Sequence, residues 1–204
     1  MFQEIRDLMR SKIGWRVINS MTKYILDSNA FIAPYNDYYR MPLFPSFWQW
    51  YKAEIVKQNS DILLPKCVYT ELKNGNDDLS QWVDNNLKSV IYDENNSPVV
   101  WRNYAKVISY ISNGSYKNSA VANWKQVGKA DPLLIAIAMT LDDGKIVTFE
   151  RRSGNFIRDA NNNVVLKNRH NPIGKEPKIL DVADQFNVSC IDLFDLEEDL
   201  KLQL

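Results

Sequence analysis

The chain has 204 residues, with 25 Lys and Arg balanced by 25 Asp and Glu, one histidine and two cysteines. At 45% apolar, 12% aromatic and 25% charged residues it reads as globular, which excludes the collagen-like, disordered and disulfide-scaffold classes. Zero net charge supplies no overall pull towards nucleic acid, and a lone imidazole excludes an HExxH zinc site or a His-rich metal centre.

Residues 1–20 differ from the rest of the chain. Ile5, Leu8, Met9 and Ile13 fall on one helical stripe, so this stretch is expected to be an N-terminal extension or a non-native leader before Met21. It lacks the apolar core of roughly 7–15 residues that a signal peptide needs. No segment approaches the roughly 18 apolar residues of a transmembrane helix, so the expected location is the cytoplasm, with no membrane partner. Residues 21–204 are expected to form one domain.

Tyr24-Ile25-Leu26 is an unbroken apolar run, as in a strand buried on both faces, and it ends in Asp27-Ser28-Asn29. Pro45 to Lys57 carries Phe47, Trp48, Tyr51 and Ile55 at helical spacing. Ile62-Leu63-Leu64-Pro65 is a second strand, leading into a helix with Val68, Glu71 and Leu72. Asp77 or Asp78 can cap the next helix, which holds Leu79, Trp82, Val83 and Leu87. Residues 93–130 read as a helical insertion, with Val100, Tyr104, Val107, Ile108 and Ile111 on one stripe. Asp131-Pro132 opens a helix apolar nearly all round, through Ala138. Lys145 to Glu150 is a third strand. Residues 151–178 read as an exposed basic excursion with a hairpin strand at Val164–Leu166. Ile179–Phe186 is helical, Val188–Leu193 a fourth strand, and an acidic tail closes the chain. Buried strands alternating with helices predict an α/β fold with a mainly parallel sheet. Cys67 and Cys190 lack metal or redox spacing and read as buried, reduced thiols. His170 sits in a polar Arg-His-Asn-Pro stretch and reads as a solvated loop residue.

The zero net charge hides blocks. Residues 101–130 carry five basic groups and no acid, and 151–178 carry seven basic and two acidic groups. Between them lies the acidic block that holds Asp131 and Glu150. The first basic block interleaves Trp101, Tyr104, Tyr110, Tyr116 and Trp124 with lysines that include Lys125 and Lys129. Basic groups neutralise phosphates and aromatic faces stack on unpaired bases, although an aromatic stripe at helical spacing also suits a core.

In open parallel sheets, sites gather at the carboxyl ends of strands. Asp27 ends the first strand and Glu150 the third, Asp131 opens the buried helix, and Glu71 follows the second strand. Converging carboxylates raise one another's pKa unless a cation sits among them. Hard divalent ions such as Mg²⁺ or Mn²⁺ take oxygen ligands and can promote phosphodiester hydrolysis without histidine. Each residue also has a plainer role. Asp131 before Pro132 suits an N-cap, Asp27 a turn, Glu71 a solvated helix face, and Glu150 an ion pair with Arg151 or Arg152. A strand-end Asp also opens haloacid-dehalogenase-type phosphatases, but the second Asp they require is Asn29 here.

The same residues carry a resemblance. Tyr24-Ile25-Leu26-Asp27-Ser28-Asn29-Ala30-Phe31-Ile32 resembles the opening motif of PIN domains, the fold of VapC-like toxin ribonucleases. Tyr69-Thr70-Glu71-Leu72 resembles their second acidic motif, Lys129-Ala130-Asp131 to Ala138 their third, and Ile146-Val147-Thr148-Phe149-Glu150 their fourth. The likeness covers residues 22–194 and looks closest to a PIN-like bacterial family of uncharacterised function. It implies a three-layer α/β/α sandwich with a central, mainly parallel sheet. It further implies a metal-dependent endoribonuclease that cleaves single-stranded RNA with metal-activated water. Asp27, Glu71, Asp131 and Glu150 would hold one or two Mg²⁺ or Mn²⁺ ions, with Asn29 and Thr148 as supporting polar residues. Arg151, Arg152, Lys125 and Lys129 are the expected RNA contacts, from their charge. A toxin of this kind would pair with a cognate antitoxin protein and could form a homodimer. A PIN-like module without catalysis, binding nucleic acid or protein, is the alternative.

Overall fold

The computed structural model describes residues 22–114, 116–152, 156–158, 160, 164–166 and 176–203. Residues 1–20 and His170 therefore lie outside the described residues, as does most of the 153–175 stretch.

Five short strands form one parallel sheet. They are β1 (Lys23–Leu26), β2 (Ile62–Pro65), β3 (Ile91–Tyr92), β4 (Gly144–Val147) and β7 (Ser189–Ile191), in the spatial order β3-β2-β1-β4-β7. Ile25 pairs with Leu63 on one side and with Ile146 on the other, which places β1 at the centre. Ile25, Leu26, Ile146 and Val147 are fully buried, as unbroken apolar runs require when helices cover both faces. A separate antiparallel pair, β5 (Phe156–Arg158) with β6 (Val164–Leu166), lies in the basic excursion.

The helices flank the sheet, giving a three-layer α/β/α sandwich. They are α1 (Asn29–Ala33), α2 (Pro45–Val56), α3 (Lys66–Lys73), α4 (Asp78–Leu87), α5 (Pro98–Asn113), α6 (Asn118–Trp124), α7 (Ala130–Ala138), α8 (Ile179–Gln185) and α9 (Leu193–Asp199). Helix α7 is buried from Pro132 to Ala138 because it packs against α5, α3 and α8 as well as β4 and β1. No helix among the described residues is long and apolar enough to cross a membrane.

Several local details differ from the sequence expectations. The strand ahead of Glu150 stops at Val147, so Phe149 and Glu150 leave the sheet as a loop. The fourth expected strand ends at Ile191, and the acidic tail winds into α9, with Asp192 and Asp195 forming a reciprocal cap. Cys67 is buried and Cys190 only half-buried; both are free thiols. The 93–130 stretch is mostly scaffold. Its helix α5 packs on α7, Trp124 is buried, and Tyr104, Tyr110 and Tyr116 lie against the core, leaving Trp101 exposed. A five-residue π-helical segment, Pro34–Tyr38, follows α1 and is closed by the Tyr39 N–H donating to the Pro34 carbonyl at 2.7 Å.

Candidate active site

The strand order reverses between β1 and β4, because β2 and β3 extend to one side of β1 while β4 and β7 extend to the other. At such a switch point, the loops after adjacent strands diverge and open a crevice at their carboxyl ends. Asp27 is the first residue beyond β1 and Thr148 the first beyond β4. The ladder continues past both strand ends: the Asp27 N–H donates to the Val147 carbonyl at 3.0 Å, and the Thr148 N–H to the Ile191 carbonyl at 2.9 Å. Both side chains are thus held by the sheet itself.

Asp27 is 3% exposed and forms the hub. Its carboxylate accepts from the Thr148 hydroxyl at 2.7 Å, the Ser28 N–H at 2.8 Å and the Asn29 amide at 3.2 Å. Thr148 in turn accepts the Glu150 N–H at 3.0 Å. Ser28 is buried and donates its hydroxyl to Glu71 at 2.7 Å. The Thr148 hydroxyl, together with the N–H and the hydroxyl of Ser28, therefore links the backbone of Glu150, Asp27 and Glu71 into one hydrogen-bonded chain across β4, β1 and α3.

Asp131 reaches the same crevice from α7. It is the second residue of that helix and makes no capping hydrogen bond; the N-cap position belongs to Lys129. The plain capping role for Asp131 is therefore not realised. Instead its carboxylate faces the Lys129 ammonium at 3.2 Å. Glu150 is held by the Lys178 ammonium at 3.0 Å and by the Ile179 N–H at 2.6 Å, at the start of α8.

The electrostatics show how close the acids lie. Burial pushes the Asp27 carboxyl up to about 6, the Thr148 and Ser28 hydrogen bonds oppose this, and the charges of Asp131 and Glu71 add to it. Asp131 is also raised, by burial first, then by Glu150 and Glu71, against the pull of Lys129. Burial alone would lower Lys129, but the charges of Asp131, Glu71 and Asp27 outweigh it and hold its pKa above the ordinary value. Lys178 is raised by its hydrogen bond to Glu150 and also feels Asp131. All four predicted acids thus share one electrostatic neighbourhood with two lysines.

The donor set is all oxygen and anionic, which fits a hard divalent cation. As placed, however, no three Asp, Glu, His or Cys side chains among the described residues stand together as a ready metal-holding group. Glu150 is turned towards Lys178 and α8, and Asp131 towards Lys129.

The predicted RNA contacts separate. Arg151 is exposed beside Glu150, and Lys125 is exposed just beyond α6. Arg152 is bound into the scaffold through Asp184 and, at 3.6 Å, the buried Asp181. Lys129 is half of the Asp131 pair. Sequence reasoning missed Ser28, Lys178 and the Ile179 N–H. Ser28 was legible in the Asp-Ser-Asn run, whereas Lys178 reaches Glu150 only through the fold.

One family model, described as a domain of unknown function (DUF4411), matches residues 24–204. The chain belongs to this family. No curated protein and no solved structure matches it. The span of DUF4411 includes Asp27, Glu71, Asp131 and Glu150, so the whole carboxylate site lies within the family's domain.

Proposed function

We propose that this DUF4411 chain is a metal-dependent endoribonuclease of PIN-like type, acting on single-stranded RNA. The observation that carries the reading is Asp27, buried at the switch point of a parallel sheet, with the charges of Asp131 and Glu71 acting on it and Glu150 acting in turn on Asp131. Burying a carboxylate near other carboxylates is costly and serves no evident packing purpose, which supports reading the place as functional. Asp27, Glu71, Asp131 and Glu150 are the residues that would hold Mg²⁺ or Mn²⁺. When bound there, such an ion supplies Lewis-acid polarisation of a phosphodiester and acidification of water. The chain's own residues position the acids. Thr148 and Ser28 orient Asp27, Ser28 fixes Glu71, and Asn29 closes the remaining side of Asp27. The exposed Arg151 supplies a phosphate contact beside Glu150.

The same likeness extends the proposal to a toxin with a cognate antitoxin protein, working in the cytoplasm. One observation favours the second reading, a PIN-like binding module without catalysis: Lys129 and Lys178 already neutralise two of the acids. RNA cleavage decides between them. Wild type should cleave an unstructured RNA with Mg²⁺ or Mn²⁺ and stop with EDTA, and Asp27→Asn should be inactive. Cleavage that survives both EDTA and the substitution would overturn the mechanism, and a wild type that binds RNA without cutting it would favour the module.

A further inference from the structure

Beside the carboxylates lies a cavity of about 480 Å³, open to solvent and lined in part by Asp37, Tyr38, Phe149, Arg151, Phe194 and Asp195. Three aromatic rings meet on its wall. Tyr38 stacks on Phe149 with centroids 5.4 Å apart and meets Phe194 edge-on at 5.2 Å; Phe149 meets Phe194 edge-on at 5.5 Å. Tyr38 is 46% exposed and Phe194 38%, so the trio is not finished core. It is assembled from three separate places: the π-helical segment after α1, the loop after β4, and the first turn of α9. π-Helical turns are rare and occur frequently at functional sites. Here the segment carries both Tyr38 and Asp37 to the cavity.

The charges select the occupant. Glu150, Asp37, Asp192 and Asp195 make the lining acidic, and Arg151 is the single cation among the described lining residues. A phosphate is therefore unsuited to the interior but can meet Arg151 at its edge. A neutral planar group bearing N–H donors suits both the ring faces and the carboxylates. Asp192 and Asp195 are partly engaged in capping α9, whereas Asp37 is exposed with no hydrogen-bonded or ionic partner among the described residues.

We propose that this cavity is a nucleobase subsite, which seats an unpaired guanine of the RNA on Tyr38 and Phe194 while the Asp37 carboxylate accepts from its N–H edge. Guanine presents two adjacent N–H donors on its pairing edge, which a carboxylate can accept together, and uracil presents one. The subsite rests on the ribonuclease reading and supplies its base preference, placing the flanking phosphate next to Arg151 and the carboxylate centre.

The test is equilibrium binding by fluorescence anisotropy, using the Asp27→Asn protein in Mg²⁺ so that cleavage does not interfere. The probes are fluorescein-labelled oligouridine and the same oligomer with one central guanosine. The guanosine probe should bind about 5- to 100-fold tighter. Tyr38→Ala should weaken it by a similar 5- to 100-fold, as loss of one base–aromatic stack does, and Tyr38→Phe should restore it. Asp37→Ala should erase the preference for guanosine, bringing the affinity for the two probes together. Equal affinity for both probes, or a folded Tyr38→Ala protein that binds as tightly as its parent, would overturn the subsite and leave the aromatic trio to a cationic segment of a protein partner. Guanosine-dependent binding by a wild type that never cleaves would refute the nuclease while sustaining the subsite. Cleavage that is indifferent to Tyr38 and Asp37 would do the reverse.

Discussion

The Asp27 carboxylate should cost the metal-free protein stability, and removing its charge should return it. Burial with Asp131 and Glu71 raises its pKa from 3.8 to about 6. A raised folded-state pKa means that the folded chain binds the proton more tightly than the unfolded chain. Stability from this group is thus fully present below about pH 4 and is lost as the pH climbs to about 6. A shift of about two pKa units corresponds to about 3 kcal/mol above pH 6. Asn at this position carries no charge, but one of its two oxygens becomes an NH₂ group. That change disturbs one of the three hydrogen bonds that Asp27 accepts, at a cost of about 1 kcal/mol. The net gain for Asp27→Asn at pH 8 is about 1–2 kcal/mol, which is a Tm higher by about 2–8 °C for a chain of this length. The assay is thermal unfolding in EDTA at unit steps from pH 4 to pH 8. The gain should be greatest at pH 7–8 and absent at pH 4. Adding Mn²⁺ should reverse the order, because binding to wild type alone stabilises it by mass action. A variant less stable than wild type at every pH, or a difference that does not vary with pH, would refute the account of Asp27.

Other perturbations test neighbouring parts of the structure. Thr148→Val removes the hydroxyl that donates to Asp27 and accepts from Glu150, so unfolding in urea should show a loss of about 2 kcal/mol with an unchanged m-value. Lys178→Met frees Glu150 of its ammonium partner, and Mn²⁺ titration followed by Tm should show tighter binding than in wild type; an unchanged midpoint would show that Lys178 and the ion do not compete. Glu94→Gln weakens a buried carboxylate that accepts the Lys66 and Cys67 N–H groups at the start of α3, and should lower stability by about 1–2 kcal/mol in calorimetry. Gly144→Ala places a Cβ 2.9 Å from the Ala138 carbonyl and 3.1 Å from its Cα, both backbone atoms that must shift, so chemical unfolding should show a loss of about 1–3 kcal/mol.

The parts of the fold that were legible in the sequence are those with a strong apolar period. The apolar runs 24–26 and 62–65 and the strand expected over 145–150 were legible as buried strands, the last stopping at Val147, and the all-apolar α7 was legible as a buried helix. Asp27, Glu71 and Asp131 were legible because Asp27 directly follows the first run, Glu71 lies on the helix that follows the second, and Asp131 stands in the first turn of the all-apolar helix. The illegible parts depend on tertiary contacts. Strand β3 is two residues long and carries no pattern of its own. The π-helical segment departs from ordinary helix by a single hydrogen-bond register, which composition does not encode. Glu150 was expected at a strand end, but the sheet stops three residues earlier and leaves it free to turn to α8. Arg152 read as a free cation because Asp181 and Asp184 lie about thirty residues away in sequence.

The charge blocks acquire a physical meaning in the crevice. Each basic block delivers one lysine to the acids between them: Lys129, near the end of the first, meets Asp131, and Lys178, at the end of the second, meets Glu150. Four acids and two ammonium groups leave a local charge of about −2 when all are ionised, which is the charge a single divalent cation would neutralise. Both lysines are only partly exposed, at 28% and 35%, so their attraction is less screened than that of a surface pair. Lys129 lowers the cost of keeping Asp131 ionised in the absence of an ion. By the same logic, an ion that recruits Asp131 or Glu150 must first displace an ammonium group. Affinity should therefore be weaker than four bare carboxylates would provide, and it should rise when either lysine is neutralised. Under the proposed metal-dependent reading, the pairing that lets the acids coexist in the folded chain would also set how tightly a cation is held.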